Sequence, residues 1–492
     1  MNEKHAFGKL AVVVDNGVLG DSRVQKIATS AKKSGWEVLL LGISPTSVRQ
    51  EFDLEGVKVV LAPCPKYLSS FKRQNPGYSF RSFGGYARNI DYQRARIRML
   101  GRKRDIEVCS ASGRKTLGWV WKFFAYKFSR VSYGLRGVGY KKGVDHMVSR
   151  RGLIEKIKVL LILSIFRKRA WQYLEPLLVD LEAALFPELT NFSPDLIHAN
   201  DFRVLPTVAR FACSSGEEKS RIKFVWDAHE FLPGVHLVTQ RSQIGTEMAE
   251  IQFGITADAC VTVSDELARL LVERHGLSSV PTVVLNAPVE TSASSDLEQT
   301  LRETLKIPAR TPLVVYSGAI SERRGVIDVI EALTISKEFH FAVVCPQEPK
   351  FRKRILETAM KFGVADRVHI VDYVPFDQIT KFISSADVGI IPLHHTLNHE
   401  VALITKFFEY LHAGLPLVVS DVKQMSETTQ EFALGEVFES GNYKDLSVAL
   451  ESALKNREAY ILNAKRNVDL AEWTWEKQFE KLNSLYLKLL EK

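Results

Sequence analysis

Lys406 and Glu409 stand three residues apart in Lys406-Phe407-Phe408-Glu409-Tyr410-Leu411-His412-Ala413-Gly414-Leu415-Pro416. On a helix they share a face, so the ammonium can meet a phosphate while the carboxylate accepts hydrogen bonds from ribose hydroxyls. The same spacing also describes a surface ion pair worth about 0.2–0.5 kcal/mol. Ser317-Gly318-Ala319-Ile320-Ser321-Glu322-Arg323-Arg324-Gly325 is a second candidate. Gly318 admits close backbone approach, the helix start that follows offers free N–H groups, and Arg323 and Arg324 bring charge suited to a diphosphate. A solvated turn with two surface arginines has the same pattern. In Trp226-Asp227-Ala228-His229-Glu230, His229 is placed to hydrogen-bond a sugar hydroxyl or steady a charged intermediate, or else to serve structure alone. Asp15-Asn16-Gly17-Val18-Leu19-Gly20-Asp21-Ser22-Arg23 is a fourth, with Gly17 and Gly20 permitting close approach, Asp21 or Ser22 as a helix cap, and Arg23 as a cation for an acceptor or phosphate. The last loop lacks the G-x-G-x-x-G spacing, which argues against NAD or FAD. No P-loop, H-E-x-x-H or Asp-x-Asp motif occurs, so no metal or cofactor is expected.

These loops need strands behind them. Leu10 to Asp15, Val38 to Leu41, Leu196 to Ala199, Phe224 to Trp226, Ala259 to Val263 and Thr282 to Leu285 are apolar runs, and amphipathic stretches such as Ser22 to Ser34 and Asp265 to His275, capped by Ser264, separate them. After a polar break, Glu290 to Glu298, a second alternation begins. Its strands are Leu313 to Tyr316, Phe341 to Val344, His369 to Val371, Val388 to Ile391 and Leu417 to Ser420, with helices Val326 to Leu333 and Lys406 to Ala413. Helical patterns from about Tyr443 to Asn456 and about Glu476 to Leu490 close the chain. The pattern predicts two doubly wound α/β domains, whose ligands bind beyond the carboxyl ends of the strands.

Composition fits a globular enzyme of two domains: 492 residues, 46% hydrophobic and 25% charged. Five scattered cysteines without a C-x-x-C pair suggest reduced thiols. The N-terminus runs into a strand-like stretch without a signal-peptide pattern, so a cytoplasmic setting is expected. Val159 to Phe166, the longest apolar run of the basic region, is less than half the roughly 20 residues that span a bilayer. The formal charge of +9 is uneven: positions 66 to 175 hold 26 Lys and Arg against 6 Asp and Glu, leaving the rest net acidic. Only that segment calls for an anionic partner.

Taken together, GDSRV, PDLIHANDF, WDAHE, ADACVTVSDELARLL, VVLNAP, YSGAISERRGVIDVIEAL, and ADVGIIPL followed by TKFFEYLHAGLPLVVSD resemble the family 4 glycosyltransferases. The resemblance covers about 10 to 60 and 190 to 490. It implies the GT-B fold, two Rossmann-like doubly wound domains facing a central cleft, here over 1–288 and 289–470, with a C-terminal helix at 471–492 returning to the N-terminal domain. It implies that Lys406 contacts donor phosphate, that Glu409 holds the ribose, that His229 lies near the transferred sugar, and that Arg324 occupies the phosphate-binding cation position. The implied reaction retains anomeric configuration, needs no metal, and passes the acceptor's proton to the leaving diphosphate. The chain departs from the family pattern at Ala319, where many members carry arginine, at Ile404-Thr405 in place of Pro-Asn, and at Val401, where the two-glutamate form of the motif has an acid.

Positions 66 to 180 exceed that pattern. Aromatics interleave with cations in Gly118 to Lys127 and again in Ile154 to Trp171, as in an interfacial anchor on anionic lipid. The expected partners are a nucleotide-sugar, a saccharide or lipid-linked acceptor, and an anionic membrane surface at the inner face of the plasma membrane. No nucleic-acid reader motif is present. Nucleotide-sugar epimerisation and a non-catalytic membrane-bound scaffold are the competing readings.

Overall fold

The computed structural model describes residues 7–46, 48–65, 120, 123–127, 130, 155–214, 221–235, 237, 239–290, 299–346 and 349–491. Gly118, Trp119, Trp121 and Lys122 of the basic aromatic run, and 291–298 of the polar break between the domains, lie outside them. The chain divides into two compact units, 66–177 and the remainder. The remainder holds both α/β domains.

The N-terminal sheet contains β1 (Lys9–Val13), β2 (Glu37–Ile43), β3 (Gln50–Leu54), β4 (Val57–Ala62), β5 (Leu196–Asn200), β6 (Lys223–Asp227), β7 (Ala259–Thr262) and β8 (Thr282–Val283), in the order β3-β4-β2-β1-β5-β6-β7-β8. Every pairing is parallel except β3 with β4. The central strands are apolar and buried over nearly their full length, as a sheet covered by helices on both faces requires. Those helices include α1 (Ser22–Lys33), α2 (Leu177–Phe192), α3 (Leu205–Ser214), α4 (Gln240–Gly254) and α5 (Asp265–His275). Asp21 caps α1, accepting from Val24 N, and Ser264 caps α5, accepting from Leu267 N.

The second sheet contains β9 (Leu313–Ser317), β10 (His340–Cys345), β11 (Val368–Asp372), β12 (Val388–Ile391), β13 (Leu417–Ser420) and β14 (Gly435–Phe438), all parallel, in the order β11-β10-β9-β12-β13-β14. Around it lie α6 (Val326–Ala332), α7 (Pro349–Phe362), α8 (Thr405–His412), α9 (Lys423–Glu431) and α10 (Tyr443–Lys455). The chain then passes through α11 (Arg457–Asn467) to α12 (Trp475–Leu490). Trp475, Phe479, Leu482 and Tyr486 of α12 belong to the core beneath the first sheet, beside Val24, Ile27, Trp36, Val12 and Leu196. Two stretches of chain therefore join the domains, and hydrogen bonds tie them together. Trp475 N donates to Pro288 O at 2.7 Å, Glu290 N to Glu476 Oε2 at 3.0 Å, and Leu285 N to Gln478 Oε1 at 3.0 Å.

The strand order reverses between β1 and β5 in the first sheet and between β9 and β12 in the second. The loops beyond those four strands open the crevices where parallel sheets receive ligands.

Candidate active site

The loop after β9 begins at Gly318 and ends at Gly325, whose φ of +62° opens α6. A side chain at 325 would place its Cβ 1.7 Å from Pro392 O, so only glycine lets this loop lie against the loop after β12. Helix α8 is fixed to β9 by Tyr410, whose hydroxyl accepts from Ser317 N at 2.9 Å.

Lys406 is only 4% exposed and its Nζ has no hydrogen-bond partner among the described residues. The ammonium lies 3.5 Å from the centroid of the Tyr316 ring, and a Cβ built on Gly318 would sit 3.5 Å from it. Burial pushes its pKa well down, Arg324 pushes further, and Glu409 opposes them. A buried, unpartnered cation beside an arginine costs stability in the unliganded chain, and an anion seated between them would remove that cost. Glu409 accepts from Ser317 Oγ at 3.3 Å; burial raises its pKa, with Lys26 the largest opposing charge and Lys406 the next. Arg323 is exposed and Arg324 half-buried, and Arg324 is the one whose charge reaches Tyr316, Lys406 and Glu230.

Lys26 had no place among the candidates read from sequence. It comes from α1 of the N-terminal domain and donates to Asn286 Oδ1 at 2.9 Å and Ala287 O at 2.6 Å, with its charge 4.7 Å from the Trp475 ring centroid. Asn286 in turn donates to Thr405 Oγ1 at 2.7 Å, at the start of α8. The segment joining the domains is thereby bonded to the helix that carries Lys406 and Glu409. Burial lowers the Lys26 pKa to about 7, Arg23 adding to the effect while Glu409, Glu476 and Asp21 oppose it. The unfolded chain, whose lysine titrates near 10.5, binds more protons between those values, so this group makes stability rise with pH from about 7 to 10.5. Lys26→Met should flatten that rise, read as urea midpoints across the window. An unchanged slope would refute the assignment.

On the opposite wall, His229 follows β6. Its Nδ1 is buried, lacks a hydrogen-bond partner among the described residues, and lies 3.9 Å from Asp227 Oδ1. Glu230 interacts electrostatically with it and with Asp201. Burial raises both carboxyls, that of Asp201 to about 7, and Arg203 opposes the rise at each. Arg324 also acts on Glu230, so one cation serves both walls. The walls touch directly where Phe231 N donates to Asn398 Oδ1 at 2.7 Å and Ser264 Oγ donates to Val401 O. Val401 is itself buried and engages through its main chain.

The loop after β1 corrects one expectation. Arg23 is 3% exposed and points inward, donating through Nε and Nη2 to Asp227 at 2.7 and 3.0 Å and through Nη1 to Val284 O at 3.2 Å. Its donors are engaged, so it is not a free cation for an acceptor or phosphate. Asp227 also meets His198 Nε2 at 3.1 Å, and His198 Nδ1 meets the Tyr486 hydroxyl of α12 at 2.8 Å. Asp21 caps α1 and accepts from Asn16 Nδ2 at 2.7 Å, while Gly17 and Gly20 shape the turn before it.

The chain matches two family models, Glycosyltransferase Family 4 over residues 149–293 and Glycosyl transferases group 1 over residues 298–467. It is 25% identical over 179 residues to an uncharacterized glycosyltransferase of Methanocaldococcus jannaschii, a stretch spanning 36% of this chain and 44% of that protein. Among solved structures it is similar to sucrose-phosphate synthase from Thermosynechococcus elongatus, with a TM-score of 0.61 at 12% identity over 98% of this chain and 99% of that one. It is also similar to an Anabaena protein, HepE, solved with UDP and glucose, with a TM-score of 0.54 at 13% identity over 97% and 100% of the two chains. A third likeness is to WaaG, a glycosyltransferase involved in lipopolysaccharide biosynthesis, with a TM-score of 0.52 at 13% identity over 97% and 99%. At these identities the structural likeness establishes the fold: two parallel-sheet α/β domains in the GT-B arrangement.

Proposed function

The chain belongs to the family 4 glycosyltransferases, and from that membership we propose that it transfers a sugar, with retention of configuration and without a metal, from a nucleoside diphosphate sugar to a saccharide or lipid-linked acceptor in glycan or cell-envelope polysaccharide assembly. The observation that carries this reading is the buried Lys406 Nζ, without a hydrogen-bond partner among the described residues, under the charge of Arg324 and Glu409. The nucleotide's diphosphate would lie against Lys406 and Arg324, and its ribose hydroxyls would donate to Glu409. That the Anabaena protein was solved with UDP and glucose agrees with such a donor.

In the step proposed, the bond between the anomeric carbon and the diphosphate oxygen breaks while the acceptor oxygen bonds to the same face of that carbon. The acceptor's proton passes to the departing phosphate oxygen. Lys406 and Arg324 stabilise the negative charge that develops on that oxygen, a contribution of about 2.7–4 kcal/mol for one well-aimed donor in comparable sites. His229 and Glu230, on the facing wall, are placed to orient sugar hydroxyls. The acceptor enters from the N-terminal domain, and the basic insertion holds the enzyme against an anionic membrane at the inner face of the plasma membrane.

The test is a thermal-shift panel of UDP-, GDP- and ADP-sugars, followed by assay of nucleotide release with and without membrane lipids. One nucleotide class should raise the melting temperature by mass action, and release should depend on acceptor. Sugar conversion without acceptor would replace transfer with epimerisation. Binding without turnover over a broad acceptor panel would leave a scaffold.

A further inference from the structure

Residues 155–166 of the inserted unit form a helix whose pattern of exposure runs opposite to that of an ordinary surface helix. Ile157, Leu160, Leu161 and Ile165 are 48%, 64%, 53% and 67% exposed. Their spacing of three, four and eight residues puts them on one face. The other face, Val159, Ile162, Leu163 and Phe166, is apolar too and partly buried, with Phe166 stacked on Tyr173 at 3.8 Å between centroids. A helix apolar on both sides, with one side open, lacks its cover.

Charge identifies the cover. Lys156 and Lys158 are exposed at the start of the helix, and Arg167, Lys168 and Arg169 are exposed in the 3-10 turn that ends it. The only acid in 155–169 is Glu155, 3.2 Å from Lys158. Cations therefore bracket both ends of the apolar face. That arrangement suits an anionic bilayer, where cations sit at the phosphates while leucine and isoleucine enter the acyl boundary. A protein-binding face would be depleted of lysine. Twelve residues rise about 18 Å, short of the roughly 30 Å hydrocarbon thickness, and no described helix is long and apolar enough to cross a membrane. A helix of that length on a bilayer would lie in the plane of its surface.

We propose that the 155–169 segment is an interfacial membrane-docking helix that inserts Ile157, Leu160, Leu161 and Ile165 into an anionic leaflet and pairs its terminal cations with lipid phosphates. This names the element and the geometry behind the membrane partnership suggested above, and rests on that reading only for the identity of the acceptor's setting.

The experiment is co-sedimentation of the full chain with vesicles of phosphatidylcholine alone, or with about 30% phosphatidylglycerol. Wild-type protein should partition at least ten-fold more strongly onto the anionic vesicles. Leu160→Asp with Ile165→Asp should lower that partition at least ten-fold while leaving the nucleotide-induced thermal shift unchanged. Lys168→Glu with Arg169→Glu should lower it and remove its dependence on phosphatidylglycerol. Wild-type partition by the Leu160/Ile165 variant overturns the proposal, as does a change of oligomeric state in that variant without lipid, which would assign the face to a second copy. RNA competing vesicles away while the Leu160/Ile165 variant still binds RNA would assign the cations elsewhere and also overturn it. Loss of nucleotide binding with normal partition would count against the transfer reading and leave the docking helix intact.

Discussion

Lys406→Met should make the unliganded protein more stable and at the same time abolish its response to nucleotide. In the free chain the ammonium is buried over Tyr316, near Arg324, with no hydrogen-bond partner among the described residues. Methionine fills much the same volume without carrying charge into a poorly solvated site. A buried polar group without a hydrogen-bond partner costs about 1–3 kcal/mol, and removing it should return stabilisation of that order. The same substitution removes a charge-assisted contact to the donor diphosphate, and truncating such a partner costs about 2–5 kcal/mol, or roughly 30- to several-thousand-fold in affinity. Differential scanning calorimetry with and without the preferred nucleoside diphosphate reads both effects in one pair of scans. A surface ion pair with Glu409 would give neither. A variant that is destabilised yet still responds to nucleotide would remove Lys406 from the site.

Asp227→Asn carries the largest expected loss of stability. The carboxylate is fully buried and is gripped by Arg23 at two points and by His198 at a third. Burial works against the charged form, but Arg23 and then His198 outweigh it and hold the pKa below the usual carboxylate range. The folded state thus keeps the charge to lower pH than the unfolded chain, whose aspartate titrates near 3.8. The stabilisation is complete above that value and is lost as pH falls through the lower folded-state pKa. Removing the charge leaves a buried guanidinium uncompensated, at a cost of about 3–5 kcal/mol. Equilibrium urea unfolding should show the loss at neutral pH, and Arg23→Met combined with Asp227→Leu should recover most of it. A single variant as stable as wild type would show that the pair is dispensable to the fold.

These two residues also show what a single sequence discloses. The segment around Lys406 is legible because its parts are local: a strand, a helix start, a lysine and glutamate one turn apart, and a Gly-Leu-Pro stop. The two alternating α/β series are legible for the same reason, since fully buried strands appear as apolar runs. Arg23 misleads because its partner lies 204 positions away; a cation at the mouth of a strand-to-helix loop reads the same whether it faces ligand or core. Lys26 hides more completely. It occupies the inward face of an amphipathic helix, and only the fold brings Asn286 and Trp475 to it. The antiparallel β3 alternates over too few residues, Glu51 to Leu54, to stand out as a strand, and the helix α4 packs in a position its mixed sequence does not advertise. Val401 looked like a missing acid. Its main-chain bond to Ser264 shows a site where backbone holds the facing wall in place of a side chain.

The return of α12 to the first domain has a consequence for how this molecule is born. Its Trp475, Phe479, Leu482 and Tyr486 complete a core begun by Leu10 and Val12, so that domain remains unfinished until α12 has left the ribosome. At about 5–20 residues per second, the half-made domain waits for tens of seconds with the seat for that helix uncovered, and a helix translated only after the whole second sheet is the one that seals the first.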